Sequence, residues 1–281
     1  MGRYLVINGD DFGISHSANQ AIIQAHQQGC LTSTSLMITG SAASEAVSLA
    51  KENSRLGVGL HLVLGCGKSI LSHKQIPHLV DRERNFSNQA TWASLNYQFN
   101  PWLKVELKAE IRAQLEAFSQ TGLMLSHVDG HLHHHINPTV MGILLDLAEE
   151  FSIPIIRLPY EEFKTTISLE PSGKLKKMVG SLVFNKLRQT TAKRLQANKI
   201  PYPDRVYGLL QTGRISESYL LGLIPLMEGD LVELYAHPDL QDNGKIELDA
   251  FLSQSLSLAI EKAGFSLVNY REVLDLSLIH I

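Results

Sequence analysis

The chain has 281 residues, of which 44% are hydrophobic and 19% charged, and its net charge is −3 at pH 7. This composition is typical of a globular protein with a large core, and it excludes a disordered chain, a collagen and a coiled coil. No apolar run approaches the ~18 residues of a membrane span, and the charge balance provides no basic field for nucleic acid.

Short apolar runs recur along the chain and predict strands at residues 4–8, 31–39, 57–64, 124–129, 153–158, 231–236 and 265–268. Apolar residues at helical spacing predict helices over 18–28, 105–120 and 140–151. Alternating strands and helices indicate parallel βαβ units. About seven such units predict a single-domain α/β fold over residues 1–281, a deformed TIM-like (β/α) barrel of about seven parallel strands.

Residues 163–225 interrupt this alternation and resemble a helical insertion. Within them, residues 174–205 contain nine Lys or Arg and one Asp, so this stretch carries a charge of +8 and the rest of the chain −11. Apolar residues at helical spacing lie between the charges. We interpret the segment as an insertion helix with a solvated basic face, or as a surface that approaches anionic lipid headgroups.

The first motif, NGDDFG at 8–13, places Asp10 and Asp11 directly after an apolar strand. In a β/α barrel the carboxyl ends of the strands form the active face, and adjacent carboxylates there favour a bound cation. The same residues also suit a surface turn with an Asp helix cap, and the motif alone leaves both readings open. The apolar run meets the two aspartates too early for a signal peptide, so we expect a cytoplasmic protein.

Histidine is the unusual residue of this composition, since five of the 12 fall between 127 and 135. Imidazole is the commonest metal ligand in proteins, and a nearby carboxylate such as Asp129 can orient it. A metal or catalytic role is therefore predicted for the cluster formed by His127, His131, His133, His134 and His135.

Two further histidines stand alone in apolar strands. His61 suits either a metal ligand or a hydrogen-bonded core histidine. His237 ends a strand, because Pro238 forces the chain out of the extended pairing, and it suits either a general acid or an exposed side chain.

Asp11, His61 and His131 are separated by 50 and 70 residues. This spacing matches one ligand from each of three barrel strands, and two imidazoles with one carboxylate leave a coordination position for water. Cys30 and Cys66 form no CxxC motif, which argues against a thiolate zinc site and a disulfide scaffold.

The sequences VINGDDFG, VGLHLVLG, HVDGHLHHH and AHPD, in this order, resemble the YdjC/ChbG-like carbohydrate deacetylase family. The stretches LTSTSLMITG, IPHLVDRERNF and IRLP resemble its hopanoid-biosynthesis-associated HpnK branch. The family resemblance implies a deformed β/α barrel that removes N-acetyl groups from amino sugars with one divalent ion, Mg²⁺ or Zn²⁺. The branch implies an N-acetylglucosaminyl bacteriohopanetetrol as substrate.

The same resemblance implies roles for individual residues. Asp11, His61 and His131 would be the metal ligands. Three catalytic residues would accompany them, with Asp10 as general base, His237 as general acid and Arg157 orienting the base. Residues 163–225 would shape substrate choice, and the resemblance gives no individual role to His127, Asp129, His133, His134 and His135.

Several alternatives stay open. The substrate could be a soluble chito-oligosaccharide, and the chain could instead be a metal-dependent phosphoesterase or a non-catalytic sugar-binding barrel. The sequence lacks the early HxH pair and the many acidic ligands expected of a two-metal phosphoesterase. Peripheral contact with the inner membrane face through 174–205 and a homodimer are further expectations, and residues 276–281 could end a final helix.

Overall fold

Parallel strands form one curled sheet in the computed structural model, which describes residues 2–275. The seven strands of this part of the chain are β1 (Arg3–Phe12), β2 (Ser33–Leu36), β3 (Gly57–Leu62), β4 (Leu125–Gly130), β5 (Arg205–Tyr207), β6 (Leu231–Ala236) and β7 (Phe265–Leu267). Their order across the sheet is β4-β3-β2-β1-β6-β5, and β7 pairs with the start of β1. The predicted parallel α/β architecture is confirmed.

Helices connect these strands and cover the sheet. They are α1 (His16–Gln28), α2 (Ala43–Glu52), α3 (Ala90–Phe99), α4 (Leu103–Gln120), α5 (Pro138–Leu147), α6 (Phe163–Leu169), α7 (Lys174–Ala197), α8 (Glu217–Leu223), α9 (Asp242–Leu252), α10 (Gln254–Lys262) and α11 (Tyr270–Asp275). Short 3₁₀ turns occupy His131–Ile136 and Ile224–Leu226. Every residue of β3 and β6 is buried, as expected for parallel strands covered on both faces.

The segment over residues 153–160 lies between β4 and β5, the strands at the two ends of the sheet. The amide of Val128 in β4 donates to the carbonyl of Ile155 at 2.9 Å, and the amide of Val206 in β5 donates to the carbonyl of Tyr160 at 2.8 Å. Within residues 2–275 the segment makes one bridge of β type, between Val128 and Ile156. The strand predicted over 153–158 is therefore wrong as a regular strand, although the segment lies where a barrel strand would.

The expected helical insertion over 163–225 contains α6, α7 and α8. Residues 205–207, within the same segment, form β5 and pair with β6. None of the helices described is both long enough and apolar enough to cross a membrane. Residues 276–281, expected to end a helix, lie outside the described residues.

Strand register brings the sequence motifs to one edge of the sheet. Residue Gly9 of β1 pairs with Ala236 of β6, and His61 of β3 pairs with Asp129 of β4. Because all these strands run in the same direction, the residues that follow them also meet at this edge. The motifs around Asp10, His131 and His237 are thereby brought together.

Candidate metal centre and active site

The last residues of β1 hold the two aspartates, where the pairing with β2 becomes irregular. Asp11 has a φ of 65°, in the left-handed region that few residues other than Gly, Asn and Asp adopt. Gly13 follows with a φ of 94°, and the Ser15 hydroxyl accepts a hydrogen bond from the Ala18 amide to begin α1. Asp10 is buried and Asp11 half-buried, so this stretch is part of the site and not a solvent-exposed loop.

The three predicted metal ligands meet, because His61 and His131 both contact Asp11. Its Oδ1 atom lies 2.8 Å from Nδ1 of His131 and 3.2 Å from Nε2 of His61. One donor atom from each residue lies within 4.8 Å of the others. Burial raises the pKa of Asp11, but hydrogen bonds with His131 and His61 outweigh it and hold the pKa well below its usual value. The carboxylate is therefore charged, as a metal ligand must be.

Asp129 orients His61 from the opposite side of the imidazole. Its Oδ1 accepts a hydrogen bond from Nδ1 of His61 at 2.8 Å, and its Oδ2 accepts one from the Ser35 hydroxyl at 2.7 Å. This arrangement leaves Nε2 of His61 directed at Asp11. A histidine that donates one ring N–H to a carboxylate and presents the other nitrogen to a cation is the usual arrangement at protein metal sites. The donor set thus fits a divalent ion.

Arg157 lies at the centre of a buried ionic network. Its side chain is fully buried and donates to both oxygens of Asp10, at 2.7 and 2.8 Å. It also forms ion pairs with Asp129 at 2.8 Å and with Glu233. Arg157 therefore fixes the orientation of Asp10, and Asn8 adds a hydrogen bond to Asp10 at 2.8 Å. We call this group the charged centre: Asp10, Asp11, His61, Asp129, Arg157 and Glu233.

Glu233 accepts from Arg157 on one oxygen and from the Tyr270 hydroxyl on the other. Burial is the main reason that its pKa rises to about 7, and Arg157 opposes that rise. Tyr270 thus satisfies the Glu233 oxygen that Arg157 does not contact.

A cleft opens beside the two aspartates and includes His237. Its volume is about 340 Å³, and Asp10, Asp11 and His237 all contribute to its walls. The His237 ring is 31% exposed, with Nδ1 3.9 Å from Glu247. The backbone N–H of His237 donates to the same Glu247 carboxylate at 2.6 Å, which fixes the chain at the end of β6. A substrate in this cleft can contact both His237 and the aspartates.

The other four histidines between 127 and 135 differ from the ligand set in their contacts and in their pKa values. His127 hydrogen-bonds Ser35 at 3.0 Å and Ser126 at 2.9 Å, and His133 hydrogen-bonds Tyr235 at 2.9 Å. Burial lowers the pKa of His127, His134 and His135 to about 4, and lowers that of His133 well below its usual value. These imidazoles are neutral at pH 7. We call them the neutral imidazole layer: His127, His133, His134 and His135.

The structure therefore separates the sequence-predicted residues into groups. Asp10, Asp11 and His237 line the cleft, and His61, His131 and Arg157 lie against the two aspartates. The open reading of Asp10 and Asp11 as a surface turn is excluded by their burial and contacts. Sequence reasoning gave no role to Ser35, Glu233 and Glu247, although a carboxylate inside the apolar run of β6 was a signal that Glu233 has a buried cationic partner.

Two relatives of known name match part of the chain. The chain is 40% identical over 156 residues to a Brevibacillus brevis protein named carbohydrate deacetylase, and the match covers 56% of this chain and 59% of that protein. A Clostridium beijerinckii protein of the same name is 38% identical over 168 residues, covering 58% and 65%. The matched part thus spans less than two thirds of either relative's length.

The whole fold has a counterpart of known structure. An Enterococcus faecalis V583 crystal structure, provisionally assigned to cellobiose-phosphate cleavage, matches with a TM-score of 0.75 and 26% identity, covering 97% of this chain and 99% of that one. The sequence profile of the YdjC-like proteins matches residues 4–262, which include every residue of the charged centre. The chain belongs to the YdjC-like protein family.

Proposed function

We propose that the chain is a metal-dependent hydrolase that removes N-acetyl groups from an amino sugar. The observation that carries this proposal is the convergence of Asp11, His61 and His131 beside the arginine-held carboxylate of Asp10, at a cleft that His237 also lines. The deacetylase names of the relatives support the same reaction. We propose that residues 1–281 act as one deacetylase domain, with 163–225 shaping substrate choice.

Asp11, His61 and His131 would hold the divalent ion. Such an ion would supply Lewis acidity, which would polarise an acetyl carbonyl and make a nearby water more acidic. Zn²⁺ accepts imidazole nitrogen readily, whereas Mg²⁺ prefers oxygen ligands, so the two histidines favour Zn²⁺ and leave Mg²⁺ as the alternative.

Asp10 is the proposed general base. Oδ1 of Asp10 accepts from both Arg157 and Asn8, whereas Oδ2 accepts only from Arg157 and keeps a second lone pair that can accept a proton from the attacking water. These hydrogen bonds fix the direction of that lone pair. Because the base is already oriented, little reorganisation is needed when the water attacks.

His237 is the proposed general acid. The water oxygen bonds to the acetyl carbon, the C–N bond breaks, and the protonated imidazole supplies a proton to the departing amine. Acetate and a free amino sugar are the products. Glu247 accepts a hydrogen bond from the backbone N–H of His237 and lies 3.9 Å from Nδ1 of its ring. These two contacts suit Glu247 to keep the imidazole at the cleft.

We further propose that the amino sugar is attached to a hopanoid lipid, as the resemblance to the HpnK branch implies. The stretch IRLP at 156–159 carries part of that resemblance and includes Arg157. Comparing acetate release from an N-acetylglucosaminyl hopanoid with that from a chito-oligosaccharide tests this choice. Faster turnover of the soluble sugar would contradict it.

A phosphoesterase with two cations is disfavoured by the charged centre. Asp10, His61 and Asp129 also have donor atoms within 4.8 Å of one another. However, the guanidinium of Arg157 already lies 2.7–2.8 Å from oxygens of Asp10 and Asp129. A second cation there would face this buried positive charge at short range.

The Asp10→Asn variant tests the proposed reaction. We expect it to bind the metal normally and to release acetate ~10²–10⁴-fold more slowly, because a positioned base typically contributes that factor. Asp146→Asn, at an exposed position of α5, is the matched control and should turn over normally. Acetate release by Asp10→Asn near the wild-type rate would contradict the assignment, and sugar binding by the wild type without acetate release would favour a binding protein.

A further inference from the structure

A groove between α3 and α7 lies next to the proposed active site but is not used by it. Its volume is about 630 Å³, within the range of sites that bind organic ligands. The surface of the groove is mainly apolar, and the two helices contribute Leu95, Phe99, Leu182, Val183 and Leu187 to it.

The floor of the groove is continuous with the candidate metal centre. It includes Leu132, His133 and His134, which directly follow the proposed ligand His131. His133 hydrogen-bonds Tyr235, whose ring lies beside His237 at 5.8 Å between centroids. Whatever occupies the groove is therefore held close to the cleft.

Apolar side chains continue from the groove onto the exposed face of α7. Leu175, Val179, Leu182 and Val183 recur at helical spacing and are 50–71% exposed. On the α3 side, Leu95 and Phe99 are 53% and 77% exposed. Two exposed tryptophans accompany them, Trp92 within α3 and Trp102 just after it. Exposed apolar patches with this continuity mark interaction surfaces, and tryptophan is enriched at membrane interfaces.

Positive charge surrounds this apolar face. Helix α7 contains seven Lys or Arg and neither Asp nor Glu. On a helical projection, Lys174 and Lys176 flank the apolar stripe, while Lys186 and Lys193 continue it toward the C-terminal end. An apolar face bordered by lysines is the pattern of a helix that lies in the headgroup layer of an anionic bilayer.

We propose that the α3–α7 surface docks on a membrane containing anionic lipid, with the apolar side chains of both helices at the headgroup–hydrocarbon boundary. The charge favours this partner over a second copy of the chain, because a symmetric dimer through this face would bring two α7 helices of like charge together. Docking would hold the groove and the cleft at the bilayer surface. The proposal concerns binding and does not depend on deacetylation.

Vesicle co-sedimentation of the full chain tests this proposal. Binding is measured to phosphatidylcholine vesicles with and without phosphatidylglycerol, at low and high salt. We expect salt-sensitive binding to the anionic vesicles alone. Leu182→Glu and Lys186→Glu should each reduce the partition coefficient about tenfold or more, because each adds negative charge at the docking face.

Matched controls separate docking from general charge effects. Leu258→Glu on α10 replaces another exposed leucine, and Lys51→Glu on α2 replaces another exposed lysine. Both should bind vesicles like the wild type. Equal losses in the controls, or no salt-sensitive binding by the wild type, would overturn the proposal. A dimer that Leu182→Glu dissociates in sedimentation velocity, without vesicle binding, would assign the surface to a second copy instead.

Discussion

His61 and His127 lie on the neighbouring strands β3 and β4 and are equally buried, yet their protonation differs. Burial lowers the pKa of both, but the carboxylates of Asp129 and Asp11 outweigh it at His61 and raise its pKa to about 10. The direct partners of His127 are the hydroxyls of Ser35 and Ser126, and its pKa falls to about 4. The carboxylates in direct contact therefore distinguish the charged centre from the neutral imidazole layer.

The difference has a consequence for cation binding. In the charged centre, carboxylates outnumber the permanent cation, Arg157, so positive charge is favourable at the Nε2 side of His61. In the neutral imidazole layer the partners of His133 and His135 are a tyrosine hydroxyl and the Arg157 carbonyl. Such uncharged contacts do little to compensate a positive charge in a buried site.

Removing the buried guanidinium from the charged centre is expected to lower the free energy of unfolding more than any other change considered. Arg157→Met would leave the carboxylates of Asp10, Asp129 and Glu233 without their shared cation. Breaking a buried ionic network in this way typically destabilises a protein by ~3–5 kcal/mol. Urea denaturation at pH 7 measures the change in unfolding free energy.

Arg112→Met is the matched control for this variant. Arg112 pairs with Glu150 at the surface, where both side chains are substantially exposed, so its loss should cost about 1 kcal/mol or less. Equal, small losses in the two variants would show that the charged centre contributes no more than a surface ion pair.

Acidification should change the stability of the neutral imidazole layer by a smaller amount. The pKa of His134 is about 4 in the folded chain against 6.5 for a free histidine, because of burial and the nearby His131. The unfolded state therefore binds the proton more readily between these values. The stability contributed by neutral His134 is present above pH 6.5 and is lost as the pH falls toward 4, by roughly 3 kcal/mol.

His134→Leu should remove this contribution, because neither ring nitrogen of His134 has a hydrogen-bond partner among residues 2–275. Denaturation at pH 7 and at pH 5, in the presence of chelator, should show a smaller loss of stability on acidification than in the wild type. His16→Leu changes an exposed side chain on α1 and should leave the wild-type dependence unchanged. An unaltered slope in His134→Leu would contradict the assignment of His134 as a buried neutral group.

Much of the site could be predicted from the sequence because parallel strands end at a common edge. Asp10 and Asp11 lie near the end of β1, His61 lies in β3, and the residues before His131 form β4. Local apolar runs and the polar residues after them indicated these positions. The spacing of Asp11, His61 and His131 was compatible with one ligand from each of three strands, the family resemblance implied this ligand set, and the structure brings the three together.

Other features depended on distant partners and could not be predicted in this way. Glu233 is opposite Arg157, 76 residues away, and in the sequence it interrupts an otherwise ordinary apolar strand. Residues 153–158 have the composition of a strand, but their neighbours in space are residues 128 and 201, which give them only irregular pairing. The three residues of β5 are too few to show periodicity in a segment with strong helical patterning.

Metal content measures the central claim most directly. Wild-type protein, His61→Ala and His134→Leu would be dialysed against Zn²⁺ or Mg²⁺ and analysed by inductively coupled plasma mass spectrometry. We expect one ion per chain in the wild type and in His134→Leu, and none in His61→Ala. Of the two substituted histidines, His61 belongs to the ligand set and His134 does not. Equal metal content in His61→Ala and the wild type, or loss of the ion from His134→Leu alone, would contradict a cation held by Asp11, His61 and His131.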